Sequence, residues 1–120
     1  MKPEENSVLK IYASTTDKVA HKLLHEHIVL KAREHGISGV TVYRGIMGYG
    51  SSSKDICTSK FWELTEKLPV MIEIIETTES IMRFYDLIKD DLDSMKKGCL
   101  VTIEPVRILM NKSGNKKSLQ

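Results

Sequence analysis

Gly39-Val40-Thr41-Val42-Tyr43-Arg44-Gly45-Ile46 and, after a connection from Met47 to Lys67, Leu68-Pro69-Val70-Met71-Ile72-Glu73-Ile74-Ile75 decide the fold. Both stretches are rich in β-branched residues, and each reads as a strand. Val40, Val42 and Ile46 share one face of the first. Pro69 is tolerated at the start of the second, where a ladder donor is dispensable.

Outward from this pair the pattern repeats on both sides. Upstream, Ala20, Leu24, Ile28 and Ala32 recur at every fourth position, widened by Leu23 and Val29, which predicts an amphipathic helix. Ser14, Thr15, Thr16 and Asp17 offer N-caps for it, and Gly36 is placed as its C′ residue. Before that helix, Leu9, Ile11 and Ala13 alternate against Val8, Lys10 and Tyr12, a half-buried strand. Downstream, Thr77 or Thr78 caps a second helix whose stripe is Ile81, Phe84, Ile88, Leu92 and Met95. Gly98 ends that connection, and Cys99 to Leu109 reads as the last strand. Pro105 within it calls for an edge position or a bulge.

The order is therefore β-α-β-β-α-β, an α+β ferredoxin-like sandwich with a long loop between its second and third strands. Residues 1–6 read as a flexible N-terminus, 7–110 as the domain and 111–120 as a basic flexible tail. With both helices on one sheet face, Tyr12, Thr41, Tyr43, Met71, Glu73 and Ile75 fall on the other. That surface is too apolar for simple solvation and suits contact with further copies of the chain.

Composition narrows the function. Eighteen basic and sixteen acidic residues leave a formal net charge of +2, too near neutral for a nucleic-acid binder. No apolar run is long enough for a membrane span, which argues against membrane insertion. The N-terminus lacks the apolar core of a signal peptide. Cys57 and Cys99 stand far apart and form no CxxC motif, so a reducing, cytoplasmic location is expected.

The connection Met47–Lys67 is the first candidate for function, because long connections in small domains are uncommon unless they do something. Gly48-Tyr49-Gly50-Ser51-Ser52-Ser53-Lys54 is flexible in composition, and residues 51–60 are expected to be the most mobile internal segment. Gly45, Gly48 and Gly50 supply backbone freedom at a strand end, either as a plain turn or as a cradle for an anion. Arg44 beside them is suited to bidentate phosphate pairing, or to a cross-sheet ion pair with Glu73 or Glu104. His21 and His25 at i and i+4 share one helix face and could ligate a metal, although no third ligand is visible. Cys57 would be reactive only if Lys54 or Lys60 lowered its pKa. No nucleophile-base-acid order stands out, so the chain is not expected to be an enzyme.

Gly39 to Gly50, with its RGI-x-G-x-G segment, followed by Leu68-Pro69-Val70-Met71-Ile72-Glu73-Ile74, resembles the family called domain of unknown function 190. The resemblance covers residues 7–110. It implies a fold similar to the PII signalling proteins and a homotrimer with its sheets facing inward. The loop at 47–67 would correspond to the effector loop of those proteins, which act on a target protein. It also implies a ligand of the adenine-nucleotide class (ATP, ADP or AMP) between subunits, where the start of one subunit's loop approaches the Gly98 turn of the next. Arg44, Gly45, Gly48, Gly50, Lys97 and Gly98 are the residues expected to bind it. Gly98 corresponds to the PII glycine that touches phosphate. Cys99 follows where PII proteins place a phosphate-binding lysine, leaving Lys96 or Lys97 as substitutes and weak affinity as the consequence. The expected function is that of a regulatory sensor. The alternative is a metal-responsive ferredoxin-like trimer using His21 and His25; a small hydrolase or transferase ranks last.

Overall fold

Strand β1 (Asn6–Ser14) sits inside a four-stranded antiparallel sheet of order β4-β7-β1-β8, with β4 at Thr41–Arg44, β7 at Pro69–Thr77 and β8 at Leu100–Pro105. Helices α1 (Leu24–Glu34) and α2 (Thr78–Asp93) supply the second layer. Four short strands complete the chain order: the hairpin β2 (Lys18–Val19) and β3 (Lys22–Leu23), and a ribbon of β5 (Met47–Gly48) with β6 (Cys57–Thr58). The computed structural model describes residues 5–50, 57–58 and 67–114.

The sheet follows from strand phase. Leu9 and Ile11 of β1 pair with Ile74 and Ile72 of β7, and all four are buried beneath the helices. Ile28 and Ala32 of α1, with Ile81, Phe84, Ile88 and Leu92 of α2, close the same core. The α2 stripe follows its predicted spacing as far as Leu92; Met95 lies past the helix end at Asp93 and packs on the core from the segment that follows. Thr77 caps that helix, its hydroxyl accepting a hydrogen bond from the Ser80 N–H at 3.1 Å. Pro105 ends β8 on a sheet edge, where its missing donor is harmless.

Helix α1 ends as predicted but does not begin as predicted. Gly36 has φ +76°, its N–H reaches the Arg33 carbonyl at 3.4 Å, and the Ile37 N–H reaches the Ala32 carbonyl at 3.0 Å. That is a Schellman closure, with Ile37 packed against the core. At the other end, Ser14 to Asp17 caps no helix. The Asp17 carboxylate accepts the Ser14 N–H at 2.9 Å and its carbonyl accepts the Leu24 N–H at 2.7 Å. Between these bonds the chain makes the β2–β3 hairpin, with Ala20 and His21 at φ 48° and 70°. Val19 enters the core and Ala20 is exposed, so the apparent helical spacing at Ala20 was coincidental.

The second strand is shorter than the sequence suggests. Val42 packs on the core, but Ile46 is 76% exposed, because the chain leaves the ladder at Gly45. The open sheet face carries Tyr43, Met71, Tyr12 and Leu100 in one cross-strand row and Thr41, Glu73, Lys10 and Thr102 in the next. The Lys10 ammonium lies 3.2 Å from the Glu104 carboxylate. The Tyr43 hydroxyl donates to Glu73 at 3.2 Å, and that carboxylate holds the phenol above its usual range.

Candidate functional site

One end of the sheet gathers four chain segments. Ser14 pairs with Pro69, Tyr12 with Leu100 and Arg44 with Val70, so the ends of β1 and β4 and the starts of β7 and β8 are neighbours. A cleft of about 510 Å³ opens there. Its walls are Tyr12 to Ser14 and Asp17 from the first strand and turn, Gly48 to Gly50, Lys67 to Val70, and Lys97 to Leu100.

Local packing explains why glycine occupies two positions beside this cleft. A side chain on Gly45 would bring its Cβ to 3.2 Å from the Pro69 ring, and one on Gly48 to 3.1 Å. Those approaches are tighter than most real Cβ contacts, so glycine lets this segment lie against the start of β7. The Gly45 N–H donates to the Pro69 carbonyl at 2.7 Å, which fixes the exit from β4. On the far side, the Leu68 N–H donates to the Thr15 hydroxyl at 3.0 Å and the Thr15 N–H donates to the Leu68 carbonyl at 2.9 Å.

The chemistry of the walls is mixed. Tyr12, Leu68, Val70 and Leu100 are apolar or aromatic, Lys67 and Lys97 are cationic, and Asp17 is anionic. Burial, reinforced by the carboxylates of Asp17 and Asp93, pushes the Cys99 thiol up, so it stays neutral and cannot replace a cationic side chain. Positive charge beside Gly98 therefore comes from Lys97.

Of the six ligand residues expected from sequence, the structure brings Gly48, Gly50, Lys97 and Gly98 together in this cleft. They lie together within one chain, because the strand order puts both connections at the same sheet end. Arg44 and Gly45 lie outside the cleft lining. Arg44 is exposed and makes no ion pair among the described residues; its expected partners Glu104 and Glu73 are engaged by Lys10 and Tyr43. Lys54, Lys60, Phe61 and Trp62 lie outside the described residues, as does the stretch 51–60 apart from Cys57–Thr58. Asp17, Tyr12 and Tyr49 went unnoticed as site residues. Asp17 reads as a helix cap in the sequence, but its hydrogen bonds to Ser14 and its place in the cleft lining show otherwise.

The two-histidine metal arrangement does not form. His21 is in the hairpin turn and His25 in the first turn of α1, so no shared helix face exists. His25 Nδ1 is buried without a hydrogen-bond partner, and His27 Nε2 lies 2.8 Å from Asp91 Oδ2 on the other helix. Among the described residues no group of three or more His, Cys, Asp or Glu side chains is placed to hold a metal ion. No described helix is long and apolar enough to cross a membrane.

Comparison with known proteins agrees with this fold. A UPF0166 protein of Aquifex aeolicus is 34% identical over 109 residues, covering 91% of this chain and 98% of the relative. A UPF0166 protein of Methanocaldococcus jannaschii is 38% identical over 88 residues, covering 70% and 80%. Among solved structures, the fold is similar to CPII, a nitrogen regulatory PII-like protein from Thiomonas intermedia bound to ADP, AMP and bicarbonate. That match has a TM-score of 0.57 and 17% identity, and covers 84% of this chain and 87% of that one. A Thermus thermophilus protein described as PII-like in signalling matches with a TM-score of 0.56 and 15% identity, covering 84% and 86%. Residues 6–108 match the family DUF190, described as "Uncharacterized ACR", so the chain belongs to DUF190 and has a PII-like, ferredoxin-like fold.

Proposed function

We propose that this protein is a cytoplasmic PII-like sensor, not a catalyst, that binds an adenine nucleotide in the cleft at the β1–β7–β8 sheet end. One observation carries the reading: Gly48 and Gly50 face the same space as Lys97 and Gly98. Backbone amides of the Lys97–Gly98 segment and the Lys97 ammonium suit phosphate. Tyr12 and Tyr49 offer aromatic faces on which a base can stack. The PII-like fold supports the same reading, since the Thiomonas intermedia protein of similar fold was solved with ADP and AMP. Because Gly48 to Gly50 begin the 47–67 connection, a ligand here bears directly on that segment, through which a target protein would be contacted. Trimer formation by the open sheet face would complete the assembly.

Calorimetry with ADP, AMP and ATP tests the site. Micromolar or weaker binding is expected, because Cys99 supplies no charge to phosphate. Lys97→Ala should weaken it about tenfold or more, on the scale of one charged hydrogen bond. Arg44→Ala should leave it unchanged, since Arg44 lies outside the cleft. Absence of binding at millimolar nucleotide would end this reading.

A further inference from the structure

Past its last strand the chain carries an apolar segment with little to pack on. The Val106 N–H still donates to the Asn6 carbonyl at 3.1 Å, but Arg107 to Met110 make no hydrogen bond among the described residues. Ile108 is exposed, Leu109 is 94% exposed and Met110 80%. Consecutive apolar residues are the pattern of a strand covered on both faces, and such a run left in water marks an association surface. Unpaired backbone and uncovered apolar side chains are satisfied together at one kind of place, the open edge of a sheet.

The main sheet has two edges, and β8, which runs into the segment, is one of them. The other is β4, bonded only to β7. Tyr43 in it and Ile46 and Met47 just beyond it are exposed, so this edge is apolar as well as open. A chain cannot lay its own segment there. The two edges stand three strand spacings apart, about 14 Å, and the four residues from Arg107 to Met110 reach about 14 Å when fully extended, so the crossing would use them up. We propose that residues 107–110 of one copy pair, as an added strand, with the β4 edge of a second copy. The giving and receiving edges differ, so the contact is head-to-tail and a ring closes it. The row Tyr43, Met71, Tyr12 and Leu100 runs from edge strand to edge strand, and joining sheets at their edges brings the end of that row towards its start in the next copy. This rests on the trimer reading above and names the segment that fastens one subunit to the next.

The test is residue-resolved hydrogen exchange, with molar mass from light scattering, on the full chain and on the double variant Leu109→Ser, Met110→Ser. Both side chains stand outside the core, so circular dichroism should show an unchanged fold. In the assembled parent, the amides of 108–110 and the outward amides of β4 should exchange more slowly than those of Asn111 to Gly114. The double variant should lose that protection and shift to smaller species. An assembled parent whose 108–110 amides exchange as fast as Asn111 to Gly114 would overturn the inference and leave the trimer standing. So would a double variant that keeps the mass and the protection of the parent. Protection of 108–110 that persists in protein diluted to monomer would overturn it too, because the segment would then pack on its own chain. A parent that is monomeric at micromolar concentration removes the trimer and this contact together.

Discussion

Glu76 shows how a single carboxylate closes a turn that would otherwise be loose. Its Oε1 accepts the Ser38 N–H at 2.9 Å and the Ser38 hydroxyl at 2.8 Å, tying the chain after α1 to β7. The Ser38 amide, against a smaller opposing effect of burial, holds the carboxyl below the usual glutamate range. The unfolded chain therefore takes up its proton first as the pH falls. The stability this group contributes is complete above the ordinary glutamate value and is lost as the pH falls through the lowered one. Solvent screening keeps the effect small. Glu76→Gln should cost about 1 kcal/mol or less at neutral pH, and the gap to the parent should close in acid. Urea unfolding across a pH series reads this directly, and a gap that widens in acid would contradict the assignment. Cys99 makes the same point in the cleft, where burial first and the Asp17 and Asp93 carboxylates second keep its thiol neutral.

Among the elements, the β2–β3 hairpin departs furthest from expectation and is the easiest to test. Two consecutive non-glycine residues in the left-handed region cost roughly 1–2 kcal/mol each, and hairpin turns of this shape favour Asn-Gly. His21→Gly should therefore raise stability by about 1 kcal/mol, seen as a higher melting temperature. A lower one would mean the imidazole does something in this turn beyond tolerating it. The same variant bears on the discarded metal arrangement, since stabilisation by a divalent cation that vanished with His21 would revive it. Helix α2, by contrast, combines a Thr77 cap with an unbroken four-residue stripe, and its sequence and structure agree from the cap to Leu92.

At the scale of the whole molecule the uncovered sheet face is the main unfinished surface. Tyr12 is 40%, Tyr43 47% and Leu100 59% exposed, in one row that runs from edge strand to edge strand. Apolar rows of this kind mark association surfaces, and identical copies are the simplest partners. A trimer is expected by light scattering at micromolar concentration. Leu100→Lys, which sets a charge in the row without touching the core beneath the helices, should shift the population towards smaller species. A monomeric parent protein would defeat the proposal.

The element order, the α2 stripe, the Thr77 cap, the Gly36 closure and the edge position of Pro105 were all legible in the sequence. Each depends on residues close together in the chain, where periodicity and backbone preference act directly. The start of α1 was misread for the opposite reason. Ala20 fits a helical spacing, but the Asp17 hydrogen bonds and the burial of Val19 prevail over it. The cleft was legible only in pieces. Its glycines and Lys97 could be named from sequence, yet nothing local ties Asp17 to Cys99 or Gly48 to Gly98. Strand order brings those pairs to one sheet end, and strand order is set by how the long-range ladders β1–β7, β1–β8 and β4–β7 bury the core.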